Sequence, residues 1–289
     1  MELWTSTMHL LSLSTQTANA LIRTTLHLPP DEGRRERHPE WTERRAIDVY
    51  SHWLKVAEPG KKEKYPRPFI LTLADVPFSE LLPRWMEVKD RFAPTRAMIL
   101  GLRYAEGGYL EPRVITAVGA AESMHRALDP APPIPDDEFK VIRSLLLDTV
   151  PVERKQWLHG LLIRNEPSLK MRLADLIERL GEVGTSVVPD PKKWIKAAVN
   201  ARDTLAHVGR TSDYTLHELH AVVEVTAAVV VLNLLHELGV PEERMLTAVT
   251  DKGTLSQAAR LGREYFAVDE AEPQAPEETP DSAPASELR

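Results

Sequence analysis

Apolar positions along this chain follow two different rhythms, and the change falls near residue 110. Beyond it, apolar residues return every three or four positions, the period of a helix that buries one face. Helices are predicted over 112–128, with Pro112 in its first turn, and over 135–150, which opens on Asp136, Asp137 and Glu138. Proline suits a first turn and acids suit the positive end of a helix. Residues 152–163 and 168–181 read as two more, the second closed by Gly181. The next starts at Asp190-Pro191, a cap followed by a first-turn proline, and runs to about His207. Residues 215–238 make the longest and most apolar segment, stopped by Gly239 and Pro241. A helix that apolar on all sides belongs at the centre of a bundle. Residues 241–248 and 255–266 read as peripheral C-terminal helices.

Before residue 110 the pattern is mixed. A short helix is expected over 8–22, strands over 24–28, 46–56 and 69–73, a charged loop over 31–43, and an amphipathic helix over 78–92 that contains Trp85. Two or three strands make a poor sheet alone, so this part either leans on the helices or is a reduced domain. The expected fold is mainly α: a helical bundle over 111–240, preceded by a small α+β region over 1–110. Peripheral helices over 241–266 and an acidic tail over 267–289 complete the chain.

Composition changes the picture in three ways. There are no cysteines, which excludes disulfides, thiolate metal sites and a cysteine nucleophile. No apolar run reaches the ~18 residues of a membrane span. The longest, 221–235, is broken by Glu224, Thr226 and Asn233. With no basic-then-apolar start, the chain is expected in the cytoplasm. Most of the net charge of −7 sits in the tail, where seven acids face Arg289 alone and no aromatic follows Phe266. Such a segment is expected to stay disordered. The nearly neutral body fits local basic patches better than a general nucleic-acid coat.

Candidate chemistry gathers in the segment 198–209, which holds Arg202, Asp203 and His207. Arginine offers a fixed fork of donors to phosphate oxygens, and histidine moves a proton near neutral pH. The spacing alone selects nothing, because Arg45/His52, Arg154/His159 and Arg210/His217 also place an arginine a few residues ahead of a histidine. Position separates them. His207 stands at a predicted helix end just before Gly209, where an unwinding backbone would let the ring swing back toward Arg202. Lys192, Lys193 and Lys196 on the same helix form a basic strip for an RNA backbone. Glu122, on a small and apolar helix face, calls for a cationic partner such as Arg202. His217 and His220, with Glu218 and Glu224 near them, have a spacing open to a metal, but no further ligand stands at a telling distance. In the plainer alternative His207 caps its helix, Arg202 pairs with a carboxylate and Glu122 faces solvent.

Arg202-Asp-Thr-Leu-Ala-His207, at the end of one bundle helix and ahead of a long apolar one, resembles the R-x(4–6)-H motif of HEPN domains. Ala121-Glu-Ser-Met-His-Arg126 is similar to a helix of the HEPN domain in ApeA-like anti-phage proteins. Phe69-Ile-Leu-Thr-Leu-Ala-Asp-Val76 and Leu82-Pro-Arg-Trp85 are similar to the stretch preceding that domain. The resemblance covers roughly residues 70–240 and implies a dimerising bundle with metal-independent endoribonuclease activity. On that resemblance Arg202 and His207 are catalytic, Asp203 and Glu122 support them, and Lys192, Lys193 and Lys196 bind RNA. Residue 203 is Asp where many such nucleases carry Asn or another polar residue. The implied partners are RNA, for example tRNA, and a second copy of the chain, with the 215–238 helix in the interface. No cofactor, metal, DNA or membrane is expected. ApeA-like proteins have a larger N-terminal region, so this chain reads as shortened. The competing expectation is a non-catalytic bundle that binds RNA or a protein partner.

Overall fold

The computed structural model describes residues 2–20, 23–28, 32–38, 46–49, 69–105, 107–208, 213–251 and 253–268. The helical rhythm beyond residue 110 is realised nearly as the periodicity predicts: α5 (Leu110–Ala127), α6 (Asp136–Thr149), α7 (Val152–Leu161), α8 (Leu169–Glu178), α10 (Pro191–Val208) and α11 (Leu216–Glu237). One further element appears. Gly181, at φ 55°, does break the helix before it, but it also opens a short α9 (Gly181–Val187) that the pattern does not predict.

The central element is α11, in which every residue from Ala221 to Leu235 is buried. Its start is fixed by a capping box. Thr215 Oγ1 accepts from the Glu218 amide at 3.2 Å, and the Thr215 amide donates to Glu218 Oε2 at 2.7 Å. Helix α5 lies along α11, while α10, α8 and α13 (Thr254–Tyr265) close other sides. By length and composition α11 would pass for a membrane span, yet 89% of its apolar window is buried inside the protein.

The three residues that break its apolar run each tie α11 to a different neighbour. Glu224 receives Arg103 NH1 at 2.8 Å and Arg113 NH2 at 3.4 Å. Thr226 Oγ1 accepts from Trp194 Nε1 at 3.3 Å. Asn233 Nδ2 donates to the carbonyls of Leu176 and Val229 at 3.1 and 3.0 Å, and its Oδ1 accepts from Arg179 at 3.2 Å. A buried polar group left unpaired costs about 1–3 kcal/mol, so these bonds set the register of neighbours that apolar contact alone would let slide.

The N-terminal part departs further from the pattern. The first helix, α1 (Glu2–Thr15), starts earlier than the predicted 8–22. One antiparallel pair, β1 (Thr25–His27) with β2 (Ala46–Asp48), forms; the remainder of the expected 46–56 strand and part of the 31–43 loop lie outside the described residues. Within that loop α2 (Glu32–Arg37) is helical. The strand expected over 69–73 is instead a turn, closed by Asp75 Oδ2 accepting from the Thr72 amide at 2.7 Å and hydroxyl at 2.8 Å. Asp75 captures the backbone donor locally, and among the described residues the β1–β2 sheet has two strands only. The amphipathic helix is α3 (Phe78–Arg91), followed at once by α4 (Ala93–Tyr104), which the pattern misses because Pro94 reads as a turn.

The boundary expected at 110 falls inside a packed unit. Helix α4 runs along α5, Trp85 Nε1 on α3 donates to the Ser6 carbonyl at 3.1 Å on α1, and Ser12 meets Tyr104 at 2.7 Å. The C-terminal helices are likewise not peripheral. From α12 (Glu242–Thr250) and α13, Met245, Val249, Leu255, Ala258 and Ala259 enter the same core. Gly262 brings α13 so close to α9 that an added Cβ would sit 1.9 Å from the Val187 carbonyl oxygen. The 269–289 tail lies outside the described residues.

Glu224→Gln should lower unfolding free energy by roughly 2–4 kcal/mol in urea titrations, because it strands two half-buried guanidinium groups. Burial also holds the imidazoles of His9 and His236 below their ordinary 6.5, with Arg96 and Arg179 adding to the effect. The unfolded chain then binds more protons than the folded one below that value, so stability is present above it and lost as pH falls. Melting temperature should drop between pH 7 and 5, and drop less in the His9→Gln/His236→Gln variant.

Candidate functional site on helix α10

Helix α10 is fastened at its N-terminus by Asp190, whose Oδ1 accepts from the Lys192 and Lys193 amides at 2.9 and 3.1 Å. The Asp190 amide itself donates to the Phe266 carbonyl at 2.9 Å, which ties α10 to the end of α13. Trp194, Ala198, Ala201 and Leu205 recur at helical spacing and are buried, so they fix which face turns inward. The opposite face is thereby set without reference to any function.

At about 100° per residue, Lys192, Lys196, Asp203 and His207 fall within roughly 60° of one another on that opposite face. Lys192, Lys196 and His207 are exposed and Asp203 is half-buried. The stripe is about 22 Å long at 1.5 Å per residue. Lys193 lies to one side and its Nζ reaches the Ala267 carbonyl at 3.5 Å, so it is turned partly toward the chain's own backbone.

The expected unwinding at His207 does not occur. Helix α10 continues through Val208, which keeps Arg202 and His207 about 140° apart around its axis. Gly209, the residue meant to release the ring, lies outside the described residues. Within one chain, then, the helix holds Arg202 and His207 on different faces. Arg202 lies at the edge of the buried face, its side chain 38% exposed, and NH1 donates to Asp203 Oδ1 at 2.9 Å. Among the described residues the His207 ring has no hydrogen-bond partner.

Glu122 is not the partner of Arg202. Its Oε1 accepts from Arg126 NH2 at 3.0 Å, one turn along α5. That near neighbour satisfies the carboxylate without a second helix, the common outcome at this spacing. Arg126 also reaches Glu166 at 3.2 Å, and Glu166 accepts from Arg172 at 2.9 Å. The chain of contacts ends at His125, only 2% exposed. Its Nδ1 accepts from Arg172 NH1 at 3.4 Å and its Nε2 donates to Asp175 Oδ2 at 2.8 Å, which places the ring proton on Nε2. His125 reads as isolated in the sequence because Arg172 and Asp175 are about fifty residues away. It is a sealed arginine–histidine contact that no polymer can touch.

A second feature escapes sequence reading. After the connection that follows α10, Tyr214 folds back along the helix, its hydroxyl 3.5 Å from the Ala197 carbonyl and bonded to the Asn200 side chain. Burial, reinforced by the Glu218 carboxylate, raises the phenol above its ordinary range, so it stays protonated and able to donate. Asn200 and His207 are two turns apart on nearly the same face. The metal alternative finds its carboxylates engaged elsewhere: Glu218 caps α11 and Glu224 holds Arg103 and Arg113. A small cavity lined by Thr15, Gln16, Arg244 and Thr254 lies away from α10.

The arrangement is an open helix face with a basic approach, an unpaired imidazole and a half-engaged arginine. Such a surface fits a polymer better than a small molecule, which is normally enclosed. Residues 115–244 match the family described as Apea-like HEPN. Neither a curated protein nor a solved structure matches the chain.

The side chains of the Arg202–Asp203 pair are 38% and 48% exposed, enough for solvent to screen the pair, so Asp203→Asn should change unfolding free energy by less than about 0.5 kcal/mol. A larger loss in urea titrations would mean that Asp203 holds the helix rather than restraining Arg202.

Proposed function

We propose that this chain, which carries an Apea-like HEPN domain over residues 115–244, is a metal-independent endoribonuclease acting in abortive infection or a similar anti-phage defence. HEPN domains are generally ribonucleases. The observation that carries the finer reading is that His207 is exposed and Arg202 partly exposed on a helix with a lysine approach, whereas His125 and Arg172 in the same domain are sealed.

The reaction uses a nucleophile already in the substrate. His207 takes the proton from a ribose 2′-OH, the 2′ oxygen bonds to the adjacent phosphorus, and the bond from phosphorus to the 5′ oxygen breaks. A proton returned by imidazolium or water completes a 5′-hydroxyl and leaves a 2′,3′-cyclic phosphate. Arg202, released from Asp203, stabilises the charge on the phosphorane. Because α10 holds Arg202 and His207 on different faces, a second copy supplies the complementary half: the imidazole of one protomer faces the guanidinium of its partner. Lys192 and Lys196 hold the strand, and structured RNA such as tRNA is the substrate class.

Full-length protein incubated with RNA in EDTA should yield cyclic-phosphate and 5′-hydroxyl ends. His207→Ala and Arg202→Ala should each slow cleavage by about 10²–10⁴-fold with unchanged melting. Cleavage that survives His207→Ala rejects the mechanism. RNA binding without cleavage in the native chain supports a non-catalytic bundle instead.

A further inference from the structure

One exposed residue of the outward stripe on α10 has no part in the reaction described above. Asn200 stands between Lys196 and His207, within roughly 40° of each around the axis and about 10 Å before His207 along it. Its amide is held by an aromatic side chain. The Tyr214 hydroxyl donates to the Ala197 carbonyl at 3.5 Å, which leaves the phenol oxygen to accept from the Asn200 side chain. The ring packs against the core and stays part-exposed. Asn200 keeps its Oδ1 and a second N–H for another partner. A ring beside an amide edge offers what an unpaired base uses: a face to stack on and a donor–acceptor pair for its edge.

Charges around the pair separate base from backbone. Lys192 and Lys196 lie on one side of Asn200 around the axis, and Ala197, with Tyr214 over it, lies on the other. On the tyrosine side the carboxylates of Asp213 and Glu218 act on the phenol, and Glu218 is fixed there by capping α11. Lys193, also on that side, is turned to the Ala267 carbonyl. Asp203, the acid within the stripe, is engaged by Arg202. Phosphates are therefore drawn to the lysine edge and repelled from the tyrosine edge, while a neutral base meets no such penalty.

We infer that Tyr214 and Asn200 form a subsite for one unpaired nucleobase, neighbouring the nucleotide whose 2′-OH His207 deprotonates. This rests on the ribonuclease reading above and narrows its substrate to a single-stranded stretch, such as a loop of a structured RNA. A base inside a duplex has both faces stacked and its edge paired, so it cannot enter.

Fluorescence anisotropy of the full chain with two labelled 2′-O-methyl strands tests this: heptauridylate, and an all-abasic strand of the same length and charge. Neither has the 2′-OH nucleophile, so neither is cut. The native chain should bind heptauridylate about tenfold more tightly than the abasic strand. Tyr214→Leu, which keeps apolar packing, should bind both alike, and Tyr214→Phe, which keeps the ring, should retain most of the preference. Asn200→Ala, at an exposed position, should cut the preference about threefold at unchanged melting. Lys196→Ala should weaken both strands equally. Equal affinity of the native chain for the two strands overturns the inference, as does a preference that survives Tyr214→Leu and Asn200→Ala or is lost in Tyr214→Phe. Cleavage of ordinary RNA is read separately. A chain that cuts RNA without a base preference fails this inference alone. One that shows the preference without cutting fails the ribonuclease reading alone, and one that binds neither strand and cuts nothing fails both.

Discussion

The burial of α11 on all sides is the constraint from which the remaining architecture follows. A helix with no polar face can only exist where other helices cover it, and α5, α8, α10 and α13 each give one apolar stripe to that task. Removing apolar surface from water is non-directional, so it draws these helices in without deciding how they are rotated or how far each slides. Direction comes from Glu224, Thr226 and Asn233. Each places one polar group in the interior where only a specific partner satisfies it: Arg103 and Arg113, Trp194, and Arg179 with two carbonyls. The same residues that interrupt the apolar run therefore give the bundle a unique register. They also bind the N-terminal helices to it, since Arg103 belongs to α4.

The orientation of α10 is a consequence of this arrangement. Trp194 reaches Thr226, Ala198 and Ala201 pack beside it, and the outward stripe of Lys192, Lys196 and His207 is what the helix has left. Functional groups are thus carried on the back of a packing element rather than on a dedicated loop. Rigidity is gained at the cost of convergence. A continuous helix cannot bring residues five apart onto one face, and Asp203 occupies Arg202 in the meantime. The proposed two-chain site answers both facts, because in it the partner brings the missing group and a substrate phosphate competes with Asp203 for the guanidinium.

The same packing bears on the expected interface. The resemblance implies the 215–238 helix as part of an interface; α11 is buried from Ala221 to Leu235, so the surface it offers lies at its ends, where Leu216 is 66% exposed. The exposed apolar area lies on α6 and α7, whose helical pattern is as regular as that of the buried helices. Amphipathic periodicity states that a face will be covered; it does not state by what. For α5, α8 and α10 the cover is α11, and for the α6–α7 hairpin no element among the described residues supplies one.

Read alone, the sequence determined which stretches beyond residue 110 are helical, that 215–238 lies at the centre, and that Lys192, Lys196, Arg202 and His207 belong to one helix. These follow from local quantities: periodicity, caps at Thr215 and Asp190, and breaks at Gly181 and Gly239. What it missed depended on residues far apart in the chain. Helix α4 was hidden by Pro94, which starts it. The 69–73 strand gave way to a turn because Asp75 captures the Thr72 amide locally. The Glu122–Arg202 pairing gave way to Arg126, already one turn away, and the His125–Arg172–Asp175 cluster joins helices about fifty residues apart. The C-terminal helices looked peripheral because Gly262, which lets α13 press against Val187, carries no apolar signal of its own. Tertiary structure alone decided the rotation of each helix and the partner of each charge, since both are set by contacts between segments whose separation in sequence carries no information about their distance in space.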